Sequence, residues 1–154
     1  MSARLLLPAA ALACLGLAPL SHAEDAGMSP LPWLDPSLPV GQNGTKLTKG
    51  MTMLVDIAFN HQGYLTDCSR TFSVGKPLAA VRAAHQCCVD IQAAVAEAMR
   101  PRVPCEELYQ LALKMADQAG YADRFMGLSQ KAKFIGHGTG LYINEWPVIG
   151  ARHR

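Results

Sequence analysis

The sequence predicts an α+β fold, an antiparallel sheet covered by two helices, and three observations carry the prediction. Two apolar runs, from Met51 to Phe59 and from Tyr64 to Val74, flank a short polar loop. A rhythm of three- and four-residue apolar steps occupies residues 77–100 and resumes after Pro104, and a glycine-punctuated stretch with two apolar clusters follows at 134–149. At 154 residues there is room for one domain, which at that size buries about two-thirds of its unfolded surface. Half the residues are apolar and only 17% are charged, which excludes a disordered acidic or basic tail as the main content. The net charge of +2 comes from scattered lysines and arginines without an aromatic-interleaved basic stripe, so nucleic acid is not an expected partner.

Residues 1–23 differ from the rest. Arg4 precedes an apolar run from Leu5 to Leu20, and Ser21-His22-Ala23 offers small residues at the two positions a signal peptidase reads. This predicts a signal peptide and export to the periplasm or the medium; without it the protein would be cytoplasmic. The run of about 16 residues is short of the roughly 20 that span a bilayer, so no stable membrane span is expected. Residues 24–50 hold Pro30, Pro32, Pro36 and Pro39 and read as irregular extended chain, with Trp33 as an anchor.

The run beginning at Met51 suits a strand covered on both faces, and Asp56 interrupts it. The returning strand starts at Tyr64. A hairpin closed around His61-Gln62, as a two-residue turn or a four-residue loop from Asn60 to Gly63, puts Asp56 directly opposite Asp67. Like charges so placed, with Cβ atoms roughly 4.5–5.5 Å apart, repel, and a cation or a shared proton is the usual remedy.

A first helix over 77–100 carries Val81, Ala84, Cys88, Ile91, Val95 and Ala98 on one stripe. Pro101 and Pro104 break the chain, and Pro104 sits in the first turn of a second helix with Leu108, Leu111 and Met115, stopped by Gly120. Phe134-Ile135 and Leu141 to Ile143 read as short strands flanking a loop. The five cysteines have no metal-binding spacing. Buried thiols are expected, and export would leave room for one disulfide among Cys68, Cys87, Cys88 and Cys105.

Asp56 and Asp67 offer four oxygens on one sheet face, and His137 in Gly136-His137-Gly138-Thr139-Gly140 adds an imidazole. That mixture suits first-row divalent metals better than calcium or a structural zinc. His61 reads as an exposed loop residue, His85 as half-buried beside the helix stripe, and Tyr64 and Trp146 as core aromatics or pocket linings.

The blocks Gly50-Met51-x2-Leu54-Val55-Asp56, Gly63-Tyr64-x2-Asp67-x2-Arg70-x-Phe72-x-Val74-Gly75, Gly136-His137-Gly138-x-Gly140-Leu141 and Asn144-Glu145-x-Pro147 resemble the M24 metallopeptidase family. That family includes methionine aminopeptidases, Xaa-Pro aminopeptidases, prolidases and creatinase, and the likeness is nearest the Xaa-Pro aminopeptidase branch. The resemblance implies part of a pita-bread fold over 51–154 and a site for two divalent metal ions, manganese, cobalt or zinc, that activate a water. Asp56 would bind one metal, Asp67 both and His137 the other, with the three glycines letting backbone pass close to the metals. Arg70 would pair a strand carboxylate.

Departures from the family pattern bear on activity. Its two metal-binding glutamates downstream of the histidine segment are absent, so the domain reads as truncated before its last ligands. Asn144 stands where the family usually has a second, catalytic histidine, and no histidine occurs near Pro39. Asparagine donates a hydrogen bond but cannot shuttle a proton at neutral pH. The resemblance therefore implies a metalloaminopeptidase acting on peptides with proline second, weak or inactive in this form. The alternative is a non-catalytic binding module for a peptide or protein, and unpaired strand edges would also suit a homodimer or a partner that completes the sheet.

Overall fold

The computed structural model describes residues 46–127 and 131–151. The predicted signal segment, Trp33 and most of the proline-rich stretch lie outside the described residues. In chain order the elements are β1 (Thr52–His61), β2 (Tyr64–Ser73), α1 (Ala79–Ala98), α2 (Cys105–Gln118), β3 (Phe134–Gly138) and β4 (Glu145–Gly150). They form two antiparallel two-stranded sheets, β1-β2 and β3-β4, with the helices between them in sequence. Among the described residues no helix is long and apolar enough to cross a membrane.

The first hairpin turns one residue later than the sequence predicts. Its turn residues are Gln62 and Gly63, with φ of 53° and 89°, and His61 pairs with Tyr64. Two-residue hairpin turns of this hand require positive φ at both central positions. Glycine meets that requirement without strain, and the Asn60 side-chain oxygen accepts the Gly63 N–H at 3.1 Å; a turn on His61-Gln62 would place two side-chain-bearing residues in the left-handed region. Asp56 consequently opposes Ser69, and Asp67 opposes Ala58. The pairing has slipped by two residues, not one, so both aspartates stay on one face as diagonal neighbours.

The helices form where the apolar rhythm places them, with small shifts at the ends. Ala84, Cys88, Ile91 and Val95 are the buried stripe of α1, with Val81 and Ala98 half-buried. His85 is exposed, not half-buried as expected, because it faces away from that stripe. Pro104 caps α2, and Glu106 and Glu107 in its first turn complement the positive end of the helix dipole. The buried stripe of α2 is Leu108, Ala112 and Ala116, while the expected Leu111 and Met115 are only half-buried. At its end Tyr121 N–H bonds Ala116 O and Gly120 N–H bonds Asp117 O, the pair of bonds that closes a Schellman cap.

The core joins α1, α2 and the second sheet: Cys88, Ile91, Val95, Leu108, Ala112, Ala116, Phe125, Met126, Ile135 and Ile149 form one cluster. Helix α2 is its middle layer, packing on α1 and on both β3 and β4. The strand expected at 141–143 is instead an exposed bend, and the pairing strand begins at Glu145. The first hairpin differs again from expectation. Its strands pack on each other and on neither helix, so the run that reads as doubly covered leaves Met53, Leu54, Ile57 and Phe59 exposed, and Tyr64 and Phe72 of the returning strand are exposed with them. The described cysteines Cys68, Cys87, Cys88 and Cys105 form no disulfide.

Candidate metal centre

Strand alternation sets the first half of the site. Leu54, Asp56, Ala58 and Asn60 of β1 share a face with Leu65, Asp67, Ser69 and Thr71 of β2. The register that moves Asp67 off Asp56 brings Ser69 opposite it, and the Ser69 hydroxyl donates to Asp56 Oδ1 at 2.5 Å. This contact, invisible under the predicted register, orients the Asp56 carboxylate. Arg70 alternates to the other face and bonds the Ser69 carbonyl oxygen at 2.7 Å instead of pairing a carboxylate.

The second half comes from β3. Its pairing with β4 shifts register between Phe134 and Gly136 and again between His137 and Gly138, so the histidine sits between two irregularities, where bulges near functional groups are common. His137 is 7% exposed, the only buried polar side chain among the described residues. Its Nδ1 lies 3.0 Å from Gly138 O, and a carbonyl can only accept, so the proton belongs on Nδ1. In the neutral ring Nε2 then keeps its lone pair, and it stands 3.6 Å from Asp67 Oδ2. That gap is too long for a hydrogen bond. Phe134 meets the imidazole edge-on, with ring centroids 6.0 Å apart.

Electrostatics single out Asp67. Burial pushes its carboxyl above the ordinary value, the Asp56 charge and a side-chain hydrogen bond with Asp56 push it further, and His137 pulls it partly back. The two carboxylates are thus close enough to repel, and one of them favours a proton.

Two of the glycines beside His137 make room for β4. A Cβ on Gly138 would sit 2.6 Å from Trp146 O, and one on Gly140 would sit 2.7 Å from Glu145 Oε2. Asn144, the residue at the usual catalytic histidine position, is exposed in the bend before β4 and makes no hydrogen bond to Asp56, Asp67 or His137. Tyr64 and Trp146 are also exposed, so neither is a core aromatic. One residue of the site has no role in the sequence reading: Ser69, which the observed turn brings opposite Asp56. Glu145, quoted there only as part of a motif, contacts the backbone of the bend before β4.

Chemically, two hard carboxylates and an imidazole with a free lone pair are donors for a divalent first-row metal. Among the described residues, however, no group of three or more His, Cys, Asp or Glu side chains is arranged to hold a metal ion. The donor types and the His137 tautomer fit a metal; the number of donors suits a partial site. A surface groove lined by Arg102, Pro104, Glu106, Glu107 and Gln110 shares no residue with it.

Comparison with known proteins decides the family. The profile of metallopeptidase family M24 matches residues 30–154. The chain belongs to this family. It is 31% identical over 114 residues to the Xaa-Pro dipeptidase of Pyrococcus furiosus, an alignment covering 73% of this chain and 31% of that one. Among solved structures, the dipeptidase PepE of Mycobacterium ulcerans superposes with a TM-score of 0.65 at 30% identity, covering 77% of this chain and 31% of the other. The X-Pro aminopeptidase of Thermotoga maritima gives 0.66 at 25% identity, over 76% and 32%. The M24 chain described here thus has part of the pita-bread fold and spans about a third of the length of these relatives.

Proposed function

We propose that Asp56, Asp67 and His137 bind divalent metal, and that this M24 chain carries the metal-binding portion of a peptidase for peptides with proline after the first residue. The observation that supports metal binding best is His137 Nε2 standing 3.6 Å from Asp67 Oδ2. At that separation the imidazole nitrogen and the carboxylate are held together by a positive charge, either a proton on the ring or a cation between them. The substrate class follows the names of the relatives, which include Xaa-Pro dipeptidases and an X-Pro aminopeptidase.

When bound, the metal pair would polarise the peptide carbonyl and lower the pKa of a water. The chain's own residues then have separate tasks. Ser69 fixes one Asp56 oxygen, leaving the other for a cation. Asp67, between Asp56 and His137, would be the shared ligand of a metal pair, and the hydrogen bond from Nδ1 to Gly138 O would fix the imidazole with Nε2 as the ligand atom. Asn144 can donate a hydrogen bond to a substrate carbonyl but moves no proton.

Three protein ligands hold a dinuclear site weakly. We therefore expect the 154-residue chain to bind fewer than two equivalents of manganese or cobalt and not to cleave Xaa-Pro dipeptides. Titration calorimetry and a proline-release assay test this; two-metal stoichiometry with turnover would refute it. The exposed Asn144 favours a second reading, a non-catalytic peptide-binding module. Asp67→Ala separates the two, because a binding module keeps its peptide affinity when the metal is lost. The apolar face of the first hairpin supports homodimer formation, which size-exclusion at several concentrations checks. The Arg4-led apolar run supports export, which N-terminal sequencing of the mature protein checks.

A further inference from the structure

The two halves of the metal centre sit on sheets that do not pair, so something else must set the distance between Asp67 and His137. One backbone bond does so directly: Leu65 N–H donates to Gly140 O at 2.6 Å. Leu65 is two residues before Asp67 on β2, and Gly140 is three residues after His137. The bond therefore closes a short ring, through Asp67 and His137, between the sheets.

Gly140 lies in an irregular bend, where a carbonyl has no strand to aim it. Glu145 provides the aim. Its Oε1 accepts Tyr142 N–H at 2.7 Å, and Gly140 N–H bonds Tyr142 O at 3.0 Å, so the carboxylate closes the bend from one side. The same carboxylate rests against the Gly140 Cα, where a Cβ would come within 2.7 Å of Oε2. Glu145 itself is anchored as the first residue of β4, paired with Gly138 next to His137. We propose that Glu145 is a positioning residue for the metal centre. It locks the 140–144 bend so that Gly140 O clasps β2 and presents Asp67 to His137. The effect on metal affinity rests on the metal-binding reading above; the clasp does not.

The test uses the whole chain and two readouts, amide exchange by NMR and manganese titration. Glu145→Ala should speed exchange at Leu65 and Tyr142 at least about ten-fold, leave the core amides of α1 and α2 unchanged, and weaken manganese binding by about ten-fold, the usual low end for a group supporting a ligand. Glu145→Gln retains an oxygen acceptor for Tyr142 N–H and should retain both properties. Should Glu145→Ala fail to fold, Gly140→Ala, whose methyl displaces the carboxylate, carries the same expectation. Unchanged Leu65 exchange in the Ala variants overturns the proposal, as does a Gln variant as impaired as Ala. A parent chain that binds no manganese but whose Leu65 exchange responds refutes the metal reading and leaves the clasp standing.

Discussion

The first hairpin and the helix-backed second sheet hold opposite ends of the same site on opposite kinds of support. His137 is carried by β3, whose neighbour Ile135 is fully buried under α2, and its own ring is 7% exposed. Asp56 and Asp67 are carried by two strands that touch neither helix and leave an apolar face bare. The histidine is placed by packing, the carboxylates by strand register and polar contacts. A candidate site so divided has one donor preset by packing and two whose position depends on a turn and on polar contacts.

The largest effect should come from breaking the packed side. Ile135→Ala removes a side chain with no exposure and is expected to cost about 2–5 kcal/mol, transfer and cavity together. Phe59→Ala, at 66% exposure on the hairpin, should stay within about 0.5 kcal/mol. Urea denaturation of both variants measures the contrast; equal losses would mean that the hairpin is as well supported as the core.

Next comes Ser69→Ala, which leaves Asp56 without its 2.5 Å partner. Manganese affinity should fall about ten-fold, as when a group behind a ligand is lost, while the urea midpoint holds. A fall in midpoint with unchanged affinity would make Ser69 a structural residue. An effect of similar size, since ten-fold is about 1.4 kcal/mol, is expected from Gly63→Ala, where φ is 89°: about 1–2 kcal/mol of left-handed strain, confined to the hairpin and visible as faster exchange of β1 and β2 amides.

The same division governs what the sequence could disclose. Helix stripes and the Asp-Asp-His set were legible because each is a statement of spacing, and spacing survives small errors of register. The facing of Asp56 and Asp67 was not, since it hung on which two residues take positive φ, and the Asn60 side chain decided that by bonding Gly63. The covering of β1 departs from expectation for a different reason. An apolar run reports that a strand favours cover, not that these residues supply it. Hydropathy reads the bend at 141–143 as a strand because it cannot register that Glu145 captures Tyr142 N–H. In α2, Ala112 and Ala116 displaced Leu111 and Met115 from the buried stripe, and small residues there let a middle layer sit close to neighbours on both sides.

The smallest effect tests the carboxylate side alone. Asp67 has its pKa raised from an ordinary 3.8, first by burial and then by Asp56, with His137 opposing. A raised carboxyl binds its proton more tightly folded than unfolded, so its contribution to stability is complete below the unfolded pKa and is lost as pH rises through the folded one. For the metal-free chain, melting temperature should therefore decline between about pH 4 and the raised pKa, by more than in Asp67→Asn, which has no proton to lose. Other carboxyls titrate in the same window, and the difference between the two chains removes their share. Manganese added at neutral pH should restore the parent and not the variant, because a cation then supplies the positive charge that the proton supplied in acid. Parallel pH profiles for parent and variant would show that Asp56 and Asp67 do not compete for a proton. The pair would then be held far enough apart by the hairpin to ionise together, and the case for a cation between Asp67 and His137 would rest on the imidazole alone.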